Sequence, residues 1–118
     1  MKSLQMYLAW TDEVFREPEF DSIDKVVLLY LAWKAQVYAP GQEVFSVEAM
    51  DNSGSGMFHT AHVLFLRHSH VKAALAKGCK LGYLKLYELN EPTPGYSFRF
   101  RAGGLYDETL GPYKADAE

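Results

Sequence analysis

With 118 residues and 48% hydrophobic content, the chain is long enough to fold around one core and too short for two. Its aromatic content (8 Tyr, 7 Phe, 2 Trp) excludes a disordered class, because such rings supply much of the burial that offsets chain entropy. No apolar run approaches the roughly 18 residues of a membrane span, no secretory leader pattern opens the chain, and the single Cys79 rules out an internal disulfide; a cytoplasmic setting is expected.

Residues 4–10 are apolar-rich and fit either a short helix or an edge strand. Thr11-Asp12-Glu13 reads as a helix start, with Val14 and Phe15 as its apolar part and Pro18 as its stop. Asp21 or Ser22 caps the strongest helix of the sequence, which runs to about Tyr38. Ile23, Val27, Tyr30, Leu31 and Lys34 follow helical spacing, and Val26, Leu28, Leu29 and Trp33 make the helix apolar nearly all round. Such a helix is expected to be central to the core. Ala39-Pro40-Gly41 ends it.

Val44 and Phe45 suffice for a short strand, and Ser46 caps a small helix through Met50. Residues 52–56, Asn-Ser-Gly-Ser-Gly, form a break. Residues 57–66 fit one helical face through Met57, Ala61, Leu64 and Phe65, although residues 62–66 also suit a strand. Two helices are preferred here, with a turn near residues 67–69 and Ser69 as a fresh cap. In the second of them Val71, Ala74 and Leu75 share a face, while Lys72 and Lys77 point away. Gly78 and Gly82 supply the permissive backbone that ends the helix and turns the chain. Residues 83–89 form a strand. In residues 96–101, Tyr96, Phe98 and Phe100 alternate with Ser97, Arg99 and Arg101, the period of a half-buried strand. Pro92 and Pro94 belong in the loop between the two, since neither can donate to a ladder. Val27, Leu31, Leu75, Leu84 and Phe98 are the expected core. After Gly103-Gly104 come Tyr106, Leu110 and Tyr113 and an acidic tail.

Charge is unevenly distributed behind the net value of −3. Residues 1–24 set Lys2 and Arg16 against six acids, and residues 91–118 are also net acidic. Residues 49–90 carry Arg67, Lys72, Lys77, Lys80 and Lys85 against Asp51 and Glu88 alone, a local +3. Basic charge thus gathers on the last helix and hairpin, where a nucleic-acid surface would need it. The acidic ends point instead to a protein partner.

Helix, GYLK turn at residues 82–85 and two-stranded hairpin resemble the second half of the winged-helix (winged helix-turn-helix) superfamily. The VKxALxKG pattern of residues 71–78, followed by the hairpin, is similar to phage and plasmid replication or transcription modules, and more distantly to linker-histone globular domains. The likeness covers about residues 21–101 and departs from the pattern at the Gly-Ser break and the His-rich stretch. It implies an α+β fold with a three-helix core and a small antiparallel sheet. Residues 1–20 would be an N-terminal helical or extended extension, 21–104 the winged-helix domain and 105–118 the acidic tail. It further implies double-stranded DNA as partner, with Ser69, His70, Lys72, Ala73 and Lys77 facing the major groove beside Arg67, and Lys85, Arg99 and Arg101 on phosphate from the wing. The alternative is a protein-binding winged helix, such as a phage-type inhibitor or assembly module, with a homodimer as a further option.

His59, His62, His68 and His70 fall within a short stretch, and His59 and His62 would share a helical face able to hold one metal with a third ligand. Cysteine and carboxylate partners are scarce nearby, so surface or partner-contacting histidines are the preferred reading and no cofactor is expected. GxSxG, HExxH and GxxxxGK[ST] are missing, and Gly54-Ser55-Gly56 reads as a loop, so no enzyme is expected.

Overall fold

Local capping and apolar spacing account for most of the elements in the computed structural model, which describes residues 4–38, 44, 56–87 and 95–101. In chain order these are α1 (Leu4–Arg16), α2 (Ser22–Tyr38), α3 (Gly56–Val63), α4 (His68–Lys80), β1 (Leu84–Tyr87) and β2 (Gly95–Phe98). The described residues therefore make an α+β fold of four helices and a two-stranded antiparallel sheet. None of these helices is long and apolar enough to cross a membrane.

α1 is one continuous helix, where the sequence suggested an apolar piece followed by a fresh start at Thr11. The Thr11 hydroxyl donates to the Leu8 carbonyl at 2.9 Å, a bond within the helix rather than a cap. Tyr7, Trp10 and Val14 recur at the spacing of one helical face and are buried. The segment read as an extension is thus a layer of the core itself. Pro18 lies just beyond its C-terminus, as expected of a residue that cannot continue a helix.

Asp21 caps α2 reciprocally with Asp24. The Asp24 N–H donates to Asp21 Oδ1 at 2.8 Å, and the Asp21 N–H donates to Asp24 Oδ2 at 3.1 Å. Val27, Leu28, Leu31, Ala32 and Ala35 line its buried side. The expectation of burial all round is corrected: Val26, Trp33 and Val37 are about half exposed, because nothing among the described residues covers that side.

The turn between α3 and α4 falls earlier than the expected residues 67–69. Phe65 takes a left-handed φ of 57°. Its N–H donates to the His62 carbonyl at 3.2 Å, and the Leu66 N–H donates to the Ala61 carbonyl at 2.8 Å. This pair of bonds is the Schellman ending of a helix. Arg67, not Ser69, then occupies the N-cap position of α4. The helix also runs through Gly78 to Lys80, so Gly78 does not end it. Gly78 instead permits close packing, since a Cβ there would lie 3.0 Å from Leu84 Cδ1 and 3.5 Å from Leu28 Cδ2. Gly82, at φ 86°, makes the second Schellman ending, with N–H bonds from Gly82 to Cys79 and from Tyr83 to Gly78.

β1 and β2 pair with each other as expected, in the register Leu84↔Phe98, Lys85↔Ser97, Leu86↔Tyr96 and Tyr87↔Gly95. The alternation in β2 fails at Ser97, which is buried with its neighbours. Its hydroxyl accepts from Arg99 Nε at 3.0 Å, so the long arginine covers it. The five expected core residues Val27, Leu31, Leu75, Leu84 and Phe98 are each at most 4% exposed. An aromatic cluster joins α1 to the sheet: Trp10 meets Phe98 edge-on at 4.7 Å between centroids, and Tyr83 packs on Phe20 at 5.3 Å. Of the expected strand at Val44-Phe45 only Val44 is described, in a bend. Phe45, the helix over 46–50, the Pro92–Pro94 loop and the tail lie outside the described residues.

Candidate nucleic-acid interface

α4 sorts its residues sharply. Val71, Ala74, Leu75 and Gly78 are buried, while Ser69, Lys72, Ala73, Ala76 and Lys80 are exposed. The exposed positions follow the i, i+3, i+4, i+7 rule and form a stripe of small residues with a lysine near each end. Small side chains let a helix backbone come close to a neighbouring surface, and the two ammonium groups suit an anionic one. No Asp or Glu occurs anywhere in residues 52–87, so α3, the turn, α4 and β1 present no competing negative charge of their own. The sequence reading named Ser69, Lys72 and Ala73 but missed Lys80. Its position eleven residues after Ser69, three full helical turns, was the available signal.

The other expected site residues divide. Arg67 is exposed at the start of α4. The His70 ring turns back on the helix end, where Nδ1 accepts the Arg67 N–H at 3.3 Å. Lys77 leaves the stripe. Its Nζ donates to Asp24 Oδ2 at 3.0 Å, tying α4 to the first turn of α2, and that bond holds the lysine above its ordinary pKa despite partial burial. The expectation that Lys77 points away from the fold is therefore corrected.

On the outer face of the hairpin, Lys85 is exposed, with Nζ 5.2 Å from the Tyr87 ring centroid. Arg99 donates to the Tyr87 hydroxyl at 2.7 Å and to Ser97. Hydrogen bonds from Ser97 and then Arg99 hold the Tyr87 phenol below its ordinary pKa. Lys85 and Arg99 are thus gathered around one tyrosine.

Arg101 belongs elsewhere. It pairs with Glu17 and lies 3.6 Å from Glu19, at the corner between α1 and α2. Glu17 also accepts the Tyr83 hydroxyl at 3.0 Å and, through its other oxygen, the Glu19 N–H at 3.3 Å. Burial pushes the Glu17 carboxyl up, but the bonds from Arg101, Glu19 and Tyr83 outweigh it and hold the group below its usual value. Burial, followed by the bond to Glu17, pushes the Tyr83 phenol up to about 12. The arginine therefore closes an internal network rather than the outer hairpin face.

Among the described residues no three His, Cys, Asp or Glu side chains are placed to hold a metal ion. Burial pushes the Cys79 thiol up, which disfavours the thiolate. Val26, Trp33 and Val37 recur along one side of α2 and are exposed, as are Leu8 and Phe15 along one side of α1. An open groove of about 190 Å³ lies between the two helices, lined by Leu8, Thr11, Leu29, Trp33 and Gln36 among others. No known protein family, curated protein or solved structure gives a match to this chain.

Proposed function

We propose that the chain is a winged-helix DNA-binding protein, with α2, α3 and α4 as its three helices, the β1–β2 hairpin as its wing and α4 as the helix that enters the major groove. The observation that carries this reading is the exposed stripe Ser69, Lys72, Ala73, Ala76 and Lys80 within a segment that has no acidic residue. Arg67 at the start of α4, and Lys85 with Arg99 on the hairpin, are the further phosphate contacts. Lys77 and Arg101 are excluded from the contact set because carboxylates of the fold already hold them.

Duplex binding measured by anisotropy over a range of salt concentrations tests the reading. Each neutralised phosphate contributes a slope of roughly 0.9 in log K against log salt. The double variant Lys72→Gln/Lys80→Gln is expected to lower the slope by about 2, and Lys77→Gln to leave it unchanged. Wild-type protein that binds no duplex at low salt would refute the assignment.

A second reading, a protein-binding winged helix, is favoured by one observation: the exposed apolar residues of α1 and α2, where Phe15 is 64% and Leu8 59% exposed. It predicts a stable protein complex, or a homodimer, that Trp33→Asp disrupts and that added salt does not.

A further inference from the structure

Phe65 is the least expected side chain on the surface. It is 94% exposed, so its ring buries almost nothing in the fold. It also holds a left-handed φ of 57°, a conformation that an aromatic residue adopts at a cost and glycine adopts without one. The same chain uses the same helix ending a second time with Gly82, at the end of α4. The turn itself therefore does not require a phenylalanine, and Phe65 stabilises neither its backbone nor the core. Strain kept at an exposed position points to a contact made outside the fold.

The surroundings indicate the chemistry of that contact. His62 and Arg67 are exposed on either side of Phe65 in sequence, and residues 52–87 contain no acid. A flat ring between a histidine and an arginine, in a segment with no acid of its own, matches a nucleobase with its flanking phosphates. An aromatic face can stack on any base, whatever its sequence. Resting on the DNA-binding reading above, we infer that Phe65 is a base-stacking residue that takes an unpaired or unstacked nucleobase beside the duplex held by α4. The turn leads directly into α4, so a ring there lies where that helix's first turn would meet the groove. The protein would accordingly favour duplexes carrying an unpaired base over fully paired ones.

The test uses two otherwise matched short duplexes carrying the fluorescent base 2-aminopurine, paired in one and extrahelical in the other. Wild-type protein is expected to bind the second about tenfold more tightly, within the range of one aromatic–base stack, and to quench its fluorescence. Phe65→Ala should lose both the preference and the quenching while binding the paired duplex as wild type does, and Phe65→Trp should restore them. Phe65→Gly should melt no lower than wild type, because the ring adds nothing to the fold. Equal wild-type affinity for both duplexes without quenching, or a preference that survives in Phe65→Ala, overturns the inference and leaves the DNA-binding reading standing. Binding to neither duplex overturns both. A protein partner captured through Phe65, with both duplexes ignored, also overturns the inference and assigns the ring to a protein pocket.

Discussion

Alanine in place of Trp10 is expected to cost about 3–5 kcal/mol of unfolding free energy, read from urea denaturation. The indole is fully buried and meets Phe98 and Tyr83 edge-on. Its Nε1–H is shared between two carbonyl groups, Tyr83 at 3.0 Å and Arg99 at 2.9 Å. Truncation therefore leaves a large cavity between α1 and the sheet and removes a donor from the hairpin end. The Tyr83 carbonyl keeps the Arg99 N–H at 2.9 Å. Trp10→Phe retains most of the packing and isolates the donor, with an expected loss of about 1–3 kcal/mol. Single domains are stable by about 5–15 kcal/mol, so the alanine variant would lose between about a fifth and all of that margin. A midpoint unchanged in Trp10→Ala would contradict the placement of α1 in the core.

Arg101→Ala is expected to lower the urea midpoint while leaving any duplex salt slope as in wild type. The Glu17 side chain is 3% exposed and would lose a charged partner, whereas that of Arg101 is 41% exposed and gives back part of the cost by rehydration. A loss of slope with unchanged stability would return Arg101 to the phosphate contacts. The same network sets two pH dependences. Glu17 is held below its ordinary value of 4.5 in the fold, so its contribution is present above that pH and is lost as the pH falls through the lower folded value. Tyr83 is raised from 10.0 to about 12, so its contribution is complete below pH 10 and is lost as the pH rises through the folded value. Tyr83→Phe should abolish the alkaline loss between those two values. Thermal melts across the alkaline range check this, and a Tyr83→Phe curve parallel to wild type would count against the assigned bond.

The pieces whose causes are local can be read from the amino-acid order. Asp21 and Asp24 lie three residues apart and cap α2 through their own backbone neighbours, so the start of that helix was legible. Two apolar and aromatic runs about a Pro/Gly loop, expected over 83–89 and 96–101, were enough to pair the strands, although the second stops at Phe98, and helical spacing was enough to select Val71, Ala74 and Leu75 as the buried side of α4. Thr11 misled because a threonine within a helix bonds backward through the same oxygen that would cap a new one. The α3–α4 turn was misplaced because a phenylalanine occupies the left-handed position where glycine is the usual sign. The fates of the cations were settled only by tertiary structure. Lys77 meets Asp24 across 53 residues, Arg101 meets Glu17 across 84, and the two carbonyls that share the Trp10 donor lie 73 and 89 residues away. Periodicity tells which side of an element is apolar, but an ion pair depends on which other element stands opposite, and that is decided only when the elements pack.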